Sequence, residues 1–135
     1  MNEDDRSVRI LHVEDEPLNR SLLRAVLDRA RDARIRTAVV DEAGDLHAAR
    51  EHLAAHPVDL VLLDVRLPDG SGLDLVREIR AYEKELGIVV MSASVLPAAR
   101  DEAAQAGCDA FVSKPYVAQE LIDTIGRLLP AGKQP

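Results

Sequence analysis

The sequence lacks most of the features that mark secreted, membrane-spanning or nucleic-acid-binding proteins. Its 135 residues contain one cysteine, Cys108, so no disulfide can form within the chain, which is typical of a reducing compartment. No apolar run is long enough to cross a bilayer, and no signal-peptide pattern is present. The net charge of −7 disfavours a nucleic-acid-binding surface, because phosphate contacts need clustered lysine and arginine. These absences predict a soluble, cytoplasmic protein without a membrane or nucleic-acid partner.

Aromatic residues are also scarce, since Tyr82, Phe111 and Tyr116 are the only three. Because 47% of the residues are nevertheless apolar, the core must consist of leucine, valine, isoleucine and alanine. Charged residues make up 30% of the chain, which together with this apolar share is typical of a globular protein. At this length we expect one domain, at residues 8–129, with flexible termini at 1–7 and 130–135.

Five strand-like apolar runs alternate with amphipathic segments along the chain. The predicted strands are 9–13, 36–40, 59–64, 87–92 and 110–113. Runs such as Leu60–Leu63 lack alternation of apolar and polar residues, as expected for parallel strands that are covered on both faces. The intervening segments repeat apolar residues at helical spacing, as Leu18, Leu22 and Val26 do. Residues 98–106 are almost all alanine or charged, so the helix there should be the most loosely held.

Five successive β–α units with right-handed crossovers predict an α/β fold. The expected architecture is a doubly wound, five-stranded parallel sheet of the flavodoxin-like type, with strand order 2-1-3-4-5. In that order strands 1 and 3 are neighbours, and a crevice opens at their carboxyl ends. Glu14 and Asp15 follow the first strand, and Asp64 ends the third. Ser92 and Lys114 stand at the ends of the fourth and fifth strands, at the same edge of the sheet.

This cluster of acids predicts a site for magnesium-assisted phosphoryl transfer. Two carboxylates about 4 Å apart repel by roughly 4 kcal/mol at an effective dielectric constant of 20, so three acids need a compensating cation. Oxygen ligands without histidine or cysteine favour Mg²⁺. The predicted ligands are the carboxylates of Glu14, Asp15 and Asp64 and the backbone carbonyl of Arg66. Asp64 can then attack a phosphoryl group and become an acyl phosphate, while Lys114 and the Ser92 hydroxyl bind the phosphoryl oxygens.

At these residues the sequence resembles a response-regulator receiver domain of two-component signalling, over about residues 8–129. Four motifs occur in the family's order and spacing: Leu11-His12-Val13-Glu14-Asp15-Glu16-Pro17, Asp59-Leu60-Val61-Leu62-Leu63-Asp64-Val65-Arg66-Leu67-Pro68-Asp69-Gly70-Ser71-Gly72, Val89-Val90-Met91-Ser92-Ala93 and Phe111-Val112-Ser113-Lys114-Pro115. The resemblance implies the following roles: Asp64 as phosphoacceptor, Glu14 and Asp15 as the acidic pair, Ser92 and Lys114 as switch residues, and Phe111 as the rotating aromatic.

The resemblance also implies a stand-alone signalling module, which would catalyse only its own phosphorylation and dephosphorylation. Its phosphoryl group would come from a sensor histidine kinase or a histidine phosphotransfer protein. Because no output domain follows the last helix, we expect it to relay that group or to dock onto a downstream protein target. The expected docking rim comprises Leu18, Asn19, Leu22 and Pro115-Tyr116. Whether the protein forms a homodimer is left open.

Two other function classes fit parts of the pattern. An aspartyl-phosphate hydrolase of a related α/β fold would share the nucleophile, but such sites usually carry a second acid two residues later, where this chain has Arg66. A flavodoxin-like cofactor binder would need a phosphate-cradling loop after strand 1, where Glu14-Asp15-Glu16 would repel a phosphate. Both alternatives are therefore weaker than the signalling module.

The histidines and the cysteine are assigned structural roles. His12 lies inside strand 1 and is expected to pack in the core or at its rim. His52 and His56 are one helical turn apart, but no third ligand follows, so a zinc site is not expected. Cys108 should pack as a small apolar group before the last strand.

Overall fold

The structure is a computed structural model that describes residues 7–130. The predicted flexible termini at 1–7 and 130–135 therefore lie outside the described residues, apart from Ser7 and Pro130. None of the helices within 7–130 combines the length and the apolar character that a bilayer crossing requires.

Strands and helices alternate along the chain. In chain order they are β1 (Arg9–Val13), α1 (Pro17–Asp28), α2 (Ala33–Arg36), β2 (Val39–Ala43), α3 (Leu46–Ala55), β3 (Leu60–Asp64), β4 (Arg66–Leu67), β5 (Gly70–Ser71), α4 (Gly72–Tyr82), β6 (Gly87–Ser92), α5 (Pro97–Ala106), β7 (Ala110–Ser113) and α6 (Ala118–Leu128).

The five longer strands form one parallel sheet in the order β2-β1-β3-β6-β7. Counted without the two-residue strands, this is the order 2-1-3-4-5 that the sequence predicts, so that prediction is confirmed. Val13 pairs with Leu63 across β1 and β3, which places Glu14 and Asp64 at adjacent carboxyl ends. The short strands β4 and β5 form an antiparallel ribbon directly after β3.

Each face of the sheet carries its own layer of helices and its own apolar core. Leu60 and Leu62 contribute to the core beneath α1, α2 and α6, whereas Val61 and Leu63 contribute to the core beneath α3, α4 and α5. All four side chains are completely buried. A strand buried on both faces needs apolar residues at every position, which is the reason β3 shows no alternation.

Helices α4 and α5 share one face of the sheet but are anchored very differently. The residues that α4 buries are Gly72, Leu73, Leu75, Val76 and Ile79, whereas α5 buries only Ala103 and Ala106. Helix α5 ends at Gly107, whose φ of 115° is left-handed and favours glycine. The expectation that α5 has few apolar anchors is confirmed.

The predicted boundaries of the second strand were wrong. We expected residues 36–40, but β2 spans Val39–Ala43, because the one-turn helix α2 occupies the chain just before it. Asp32 caps α2 by accepting a hydrogen bond from the Arg34 backbone N–H at 2.9 Å. A helix of four residues is too short to show apolar periodicity, so its last residue and the two that follow it looked like the start of a strand.

Candidate functional site

Three of the predicted site residues meet at the carboxyl ends of the sheet. The Lys114 ammonium group lies 2.8 Å from Glu14 Oε1 and 2.8 Å from Asp64 Oδ2. Lys114 follows β7 directly, and its backbone N–H donates to the Ser92 carbonyl at 2.8 Å, which fixes its position beside β6. One cation therefore lies between two carboxylates at the ends of neighbouring strands. Its positive charge offsets the Coulomb repulsion between them.

Glu14 is the most deeply buried acid of this crevice, with an exposure of only 1%. Its Oε2 accepts a hydrogen bond from the Glu16 backbone N–H at 3.2 Å, and the Asn19 side chain bonds to the same carboxylate. Arg20 Nη1 donates to the Glu14 carbonyl at 2.8 Å and so ties α1 to the end of β1. Burial raises the pKa of Glu14, but the hydrogen bonds and the charge of Lys114 outweigh it, so that its pKa lies below the ordinary value.

The pKa of Lys114 is set by the same two opposing effects, burial and hydrogen bonding to opposite charges. Burial alone would lower the pKa of Lys114, but its bonds to Asp64 and Glu14 raise that pKa above the ordinary value. The ammonium group therefore stays charged throughout the physiological range. A charged lysine held between two acids can move to a newly introduced anion without changing its protonation state.

Asp64 lies in a half-buried position at the end of β3, where a turn exposes its carboxylate. Its Oδ1 accepts a hydrogen bond from the Arg66 backbone N–H at 3.3 Å. Behind it, a Cβ on Gly72 would lie 2.1 Å from the Asp64 carbonyl oxygen, so only glycine lets α4 begin this close to the strand end. Sequence reasoning missed this positioning role of Gly72, although the motif Gly70-Ser71-Gly72 offered a signal for a close backbone approach.

A surface cavity of about 610 Å³ opens in front of Asp64. Asp64, Lys114 and Ser92 line it, and Ala99 and Glu102 of α5 form its far side. The Ser92 side chain is almost fully buried, and its Oγ accepts a hydrogen bond from the Ser94 backbone N–H at 3.1 Å. The contribution of α5 to this cavity was not predicted, because Glu102 follows Asp64 by 38 positions with no motif around it.

Asp15 and Phe111 stand apart from this group. Asp15 is partly exposed and makes no bond to Asp64 or Lys114 within residues 7–130. Phe111 does not line the cavity at Asp64; its ring packs against the core beneath α5 and lies below Arg100. The structure thus brings together Glu14, Asp64, Ser92 and Lys114, and places Phe111 on the side of β7 that faces α5.

The donor set at the crevice agrees with the preference of Mg²⁺ for oxygen, since carboxylates and a backbone carbonyl are the groups present. It is not a preassembled metal cage, because residues 7–130 contain no group of three acidic, histidine or cysteine side chains close enough to hold an ion. Lys114 occupies one oxygen of Glu14 and one of Asp64. The residues therefore fit a hydrated ion with few protein ligands and water in the remaining positions.

A second, more apolar cavity adjoins the crevice and has a volume of about 460 Å³. It lies between α1 and α6, with Leu22, Val26, Tyr116 and Ala118 on its walls and Glu14 and Lys114 at its polar end. Leu22 on its wall is 52% exposed, and Leu18, one helical turn earlier on α1, is 78% exposed. Exposed leucines next to an apolar cavity are typical of a protein-binding surface.

The histidines within residues 7–130 lie in apolar or acidic surroundings. His12 is buried at 3% exposure, as expected, and burial lowers its pKa to about 4, so its imidazole is neutral near pH 7. The ring centroids of His52 and His56 are 4.8 Å apart, and His52 Nε2 lies 3.4 Å from Asp41 Oδ2. These groups do not form a metal-binding cluster within residues 7–130. Cys108 is half-buried and packs against the apolar core, as predicted.

Comparison with known proteins gives a consistent result at the level of sequence and fold. The family model described as the response regulator receiver domain matches residues 10–126. The two-component response regulator ORR41 of Oryza sativa subsp. japonica is 40% identical over 118 residues, which cover 86% of this chain and 90% of that protein. The polar-differentiation response regulator DivK of Brucella ovis is 35% identical, and the alignment covers 86% and 91% of the two chains.

Solved structures share the architecture as well. The crystal structure of a response regulator receiver protein from Pseudomonas putida superposes with a TM-score of 0.78 at 28% identity, covering 90% of this chain and 97% of that one. A receiver domain protein described as CheY-like, from Methanospirillum hungatei JF-1, reaches a TM-score of 0.79 at 20% identity, with coverage of 90% and 92%. At that lower identity the likeness concerns the fold alone.

Proposed function

The chain belongs to the response-regulator receiver domains of two-component systems, and from this we propose that residues 8–129 form a phosphorylation-switched signalling module with Asp64 as phosphoacceptor. The observation that carries the proposal is the shared lysine: the Lys114 ammonium group lies 2.8 Å from both Asp64 and the buried Glu14. A nucleophilic carboxylate next to a mobile cation at an open cavity is what phosphoryl transfer needs.

In the transfer step an Asp64 carboxylate oxygen forms a bond to phosphorus while the bond from phosphorus to the donor's histidine nitrogen breaks. The imidazole leaves with the electron pair of that bond and takes up a proton. Lys114 moves from the carboxylate to the incoming phosphoryl oxygens, and the Ser92 hydroxyl donates a hydrogen bond to them. Mg²⁺, held by Glu14, Asp15, Asp64 and the Arg66 carbonyl, would supply charge neutralisation when bound.

The runner-up function, an aspartyl-phosphate hydrolase acting on another substrate, has less support. Such an enzyme needs an acid near the leaving group, and the position two residues after Asp64 is the exposed Arg66. The protein would therefore catalyse only its own phosphorylation and dephosphorylation. Its cytoplasmic location and its relay or docking role remain parts of this proposal.

Exposure to acetyl phosphate with magnesium, followed by intact-mass measurement, tests the assignment of Asp64. We expect the mass of one phosphoryl group per chain on the wild-type protein and none on Asp64→Asn, because an amide is not a nucleophile. Asp74→Asn is the matched control, since Asp74 is an exposed acid on α4 whose partner is Arg77. A label that persists on Asp64→Asn would assign the acceptor to another residue, and an unlabelled wild-type protein would contradict the function itself.

We also propose that the apolar cavity between α1 and α6 receives the phosphodonor protein. Leu18 lies one helical turn before the lining residue Leu22 on α1 and is 78% exposed, and its truncation should slow transfer from a histidine phosphotransfer protein about tenfold. Labelling by acetyl phosphate should stay unchanged, because that small donor needs no docking surface. Val95→Ala is the control, since Val95 is 90% exposed but lines a different cavity. Unchanged transfer from the histidine phosphotransfer protein to Leu18→Ala would contradict the docking role, whereas an equal loss of both activities would indicate a damaged fold.

The last part of the proposal concerns the signal. Phosphorylated Asp64 should draw the Ser92 hydroxyl inward through a charge-assisted hydrogen bond, and the Phe111 ring should turn into the space that is vacated. The geometry supports this sequence of movements, because Ser92 and Phe111 lie on the adjacent strands β6 and β7. Ser92 pairs with Ser113, and Phe111 pairs with Val90. Helix α5, which buries two alanines, should shift with the ring and change the surface formed by α5, β7 and α6.

A further inference from the structure

Arg100, on the first turn of α5, holds the side chain and the main chain of Phe111 at once. The centre of its guanidinium group lies 4.7 Å from the centroid of the Phe111 ring, within cation–π distance. Its Nη1 also donates a hydrogen bond of 3.4 Å to the Phe111 carbonyl oxygen. One side chain of the weakly anchored helix therefore stabilises the present position of the ring on β7.

The arginine takes this position although acids are close at hand. Asp101 is its neighbour in the chain, and Glu120 of α6 lines the same small cavity. Yet within residues 7–130 the guanidinium group contacts the ring and the carbonyl and forms no ion pair. The guanidinium group thus lies over the ring and not beside a carboxylate.

Cavities on both sides of the Arg100–Phe111 pair leave room for the ring to move. A cavity of about 340 Å³ lies towards Val95 and Leu96, and another of about 260 Å³ lies towards Tyr116 and Val117. Arg100 and Phe111 line both cavities and form the wall between them. If the ring turned away from the arginine, the guanidinium group would lose its contact with the ring and keep only the hydrogen bond to the backbone carbonyl.

We propose that Arg100 is a latch that holds the Phe111 ring against the core beneath α5 and so stabilises the unphosphorylated conformation. This inference rests on the proposed function, because the latch opposes the rotation that phosphorylation of Asp64 is expected to cause. Arg100 is a positioning residue that acts through Phe111 and touches neither Asp64 nor the phosphoryl group.

The expected size of the effect follows from the exposure of the pair. A cation–π contact at an exposed site changes an equilibrium about two- to fivefold. A phosphate mimic should stabilise the conformer in which the Phe111 ring has turned into the space vacated by Ser92. Losing the latch should therefore raise the apparent affinity for the mimic by the same factor.

The chain offers an unusually clean probe, because Phe111 is its only phenylalanine. Incorporation of 4-fluorophenylalanine gives a single ¹⁹F resonance that reports the ring, and the amides of residues 64–66 report occupancy of the site. Beryllofluoride with magnesium is titrated into wild type, Arg100→Gln and Arg77→Gln, the last being an exposed arginine on α4 far along the chain from Phe111. Arg100→Lys, which keeps the charge but not the planar stacking group, serves as the milder variant and replaces Arg100→Gln if that protein does not fold.

For Arg100→Gln we expect half-saturation at a beryllofluoride concentration two- to fivefold lower than for wild type, with Arg77→Gln unchanged and Arg100→Lys between them. The ¹⁹F line of unmodified Arg100→Gln should also broaden through exchange between two ring positions. An unchanged or raised half-saturation point in Arg100→Gln would overturn the latch. If wild type binds no beryllofluoride, the proposed function fails. The ¹⁹F lines then test the latch alone: equal exchange broadening in wild type and Arg100→Gln would overturn it as well.

Discussion

The crevice at Asp64 and the helix α5 border the same cavity, but they are held by opposite means. In the crevice, Lys114 bonds two acids at 2.8 Å each, and one of those acids is 1% exposed. Helix α5 carries a largely exposed surface and buries only Ala103 and Ala106. A phosphorylation switch needs this difference, because the site must keep its geometry while the element that reports its state must move at a cost of a few kcal/mol.

The largest effect that would test this comparison is expected from Lys114→Met. Glu14 would then be a buried carboxylate without its cation, and we expect a loss of about 3–5 kcal/mol in the free energy of unfolding at pH 7. Urea denaturation measures this loss. Lys84→Met is the matched control, since Lys84 bonds only an exposed backbone carbonyl and its loss should change stability by less than about 0.5 kcal/mol.

The pH dependence of Lys114→Met should be weaker than that of wild type. In wild type the pKa of Glu14 is lowered, so its stabilising contribution is present above its unfolded pKa and is lost as the pH falls through its folded pKa. Without Lys114 the strongest influences that lower the pKa of Glu14 are gone, and burial opposes the remaining hydrogen bonds from the Glu16 N–H and Asn19, so the variant should lose less stability as the pH falls. Equal slopes in the two proteins would contradict the assigned role of the lysine.

The second effect concerns His12, two residues before Glu14 on β1. Burial lowers its pKa from 6.5 to about 4, so the folded protein keeps it neutral while the unfolded chain takes up a proton below pH 6.5. Stability should therefore fall by up to about 3 kcal/mol as the pH drops from 6.5 to 4, in magnesium-free buffer. His12→Leu should remove this slope, and His47→Leu, at a side chain 76% exposed, should keep it. A slope that survives in His12→Leu must come from other groups.

The smallest effect is expected on α5. Ala103→Gly removes its best-buried methyl group and adds backbone freedom, and we expect a loss of about 1–2 kcal/mol. Hydrogen exchange should accelerate in α5 and stay unchanged in β1 and β3, because the helix opens locally. Ala98→Gly, on the exposed first turn, is the control and should cost less. A loss at Ala103 as large as that at Lys114 would remove the distinction between the two regions.

Local pattern was enough to predict most of the fold. The continuous apolar run of β3 and the periodic leucines of α1 predict buried strands and amphipathic helices, and alternation of the two admits few topologies. The prediction failed where local signals were weak. Residues 36–38 were predicted to begin a strand, because the sequence gives no sign of the one-turn helix α2. That helix is defined by its Asp32 cap and by the burial of Ile35 against α6, and neither produces a periodic pattern.

The sequence by itself determined the succession of strands and helices and which polar residues stand at the carboxyl ends of the strands, because both depend on patterns only a few residues long. Tertiary structure alone decided how those residues interact. Lys114 is separated from Glu14 by 100 positions and from Asp64 by 50, and the sequence does not reveal that it bonds both. The contact of Arg100 with Phe111 is likewise invisible in the sequence, since it joins a helix to the next strand through space. Distances and burial, which set the charges and the energies, arise only when the elements pack.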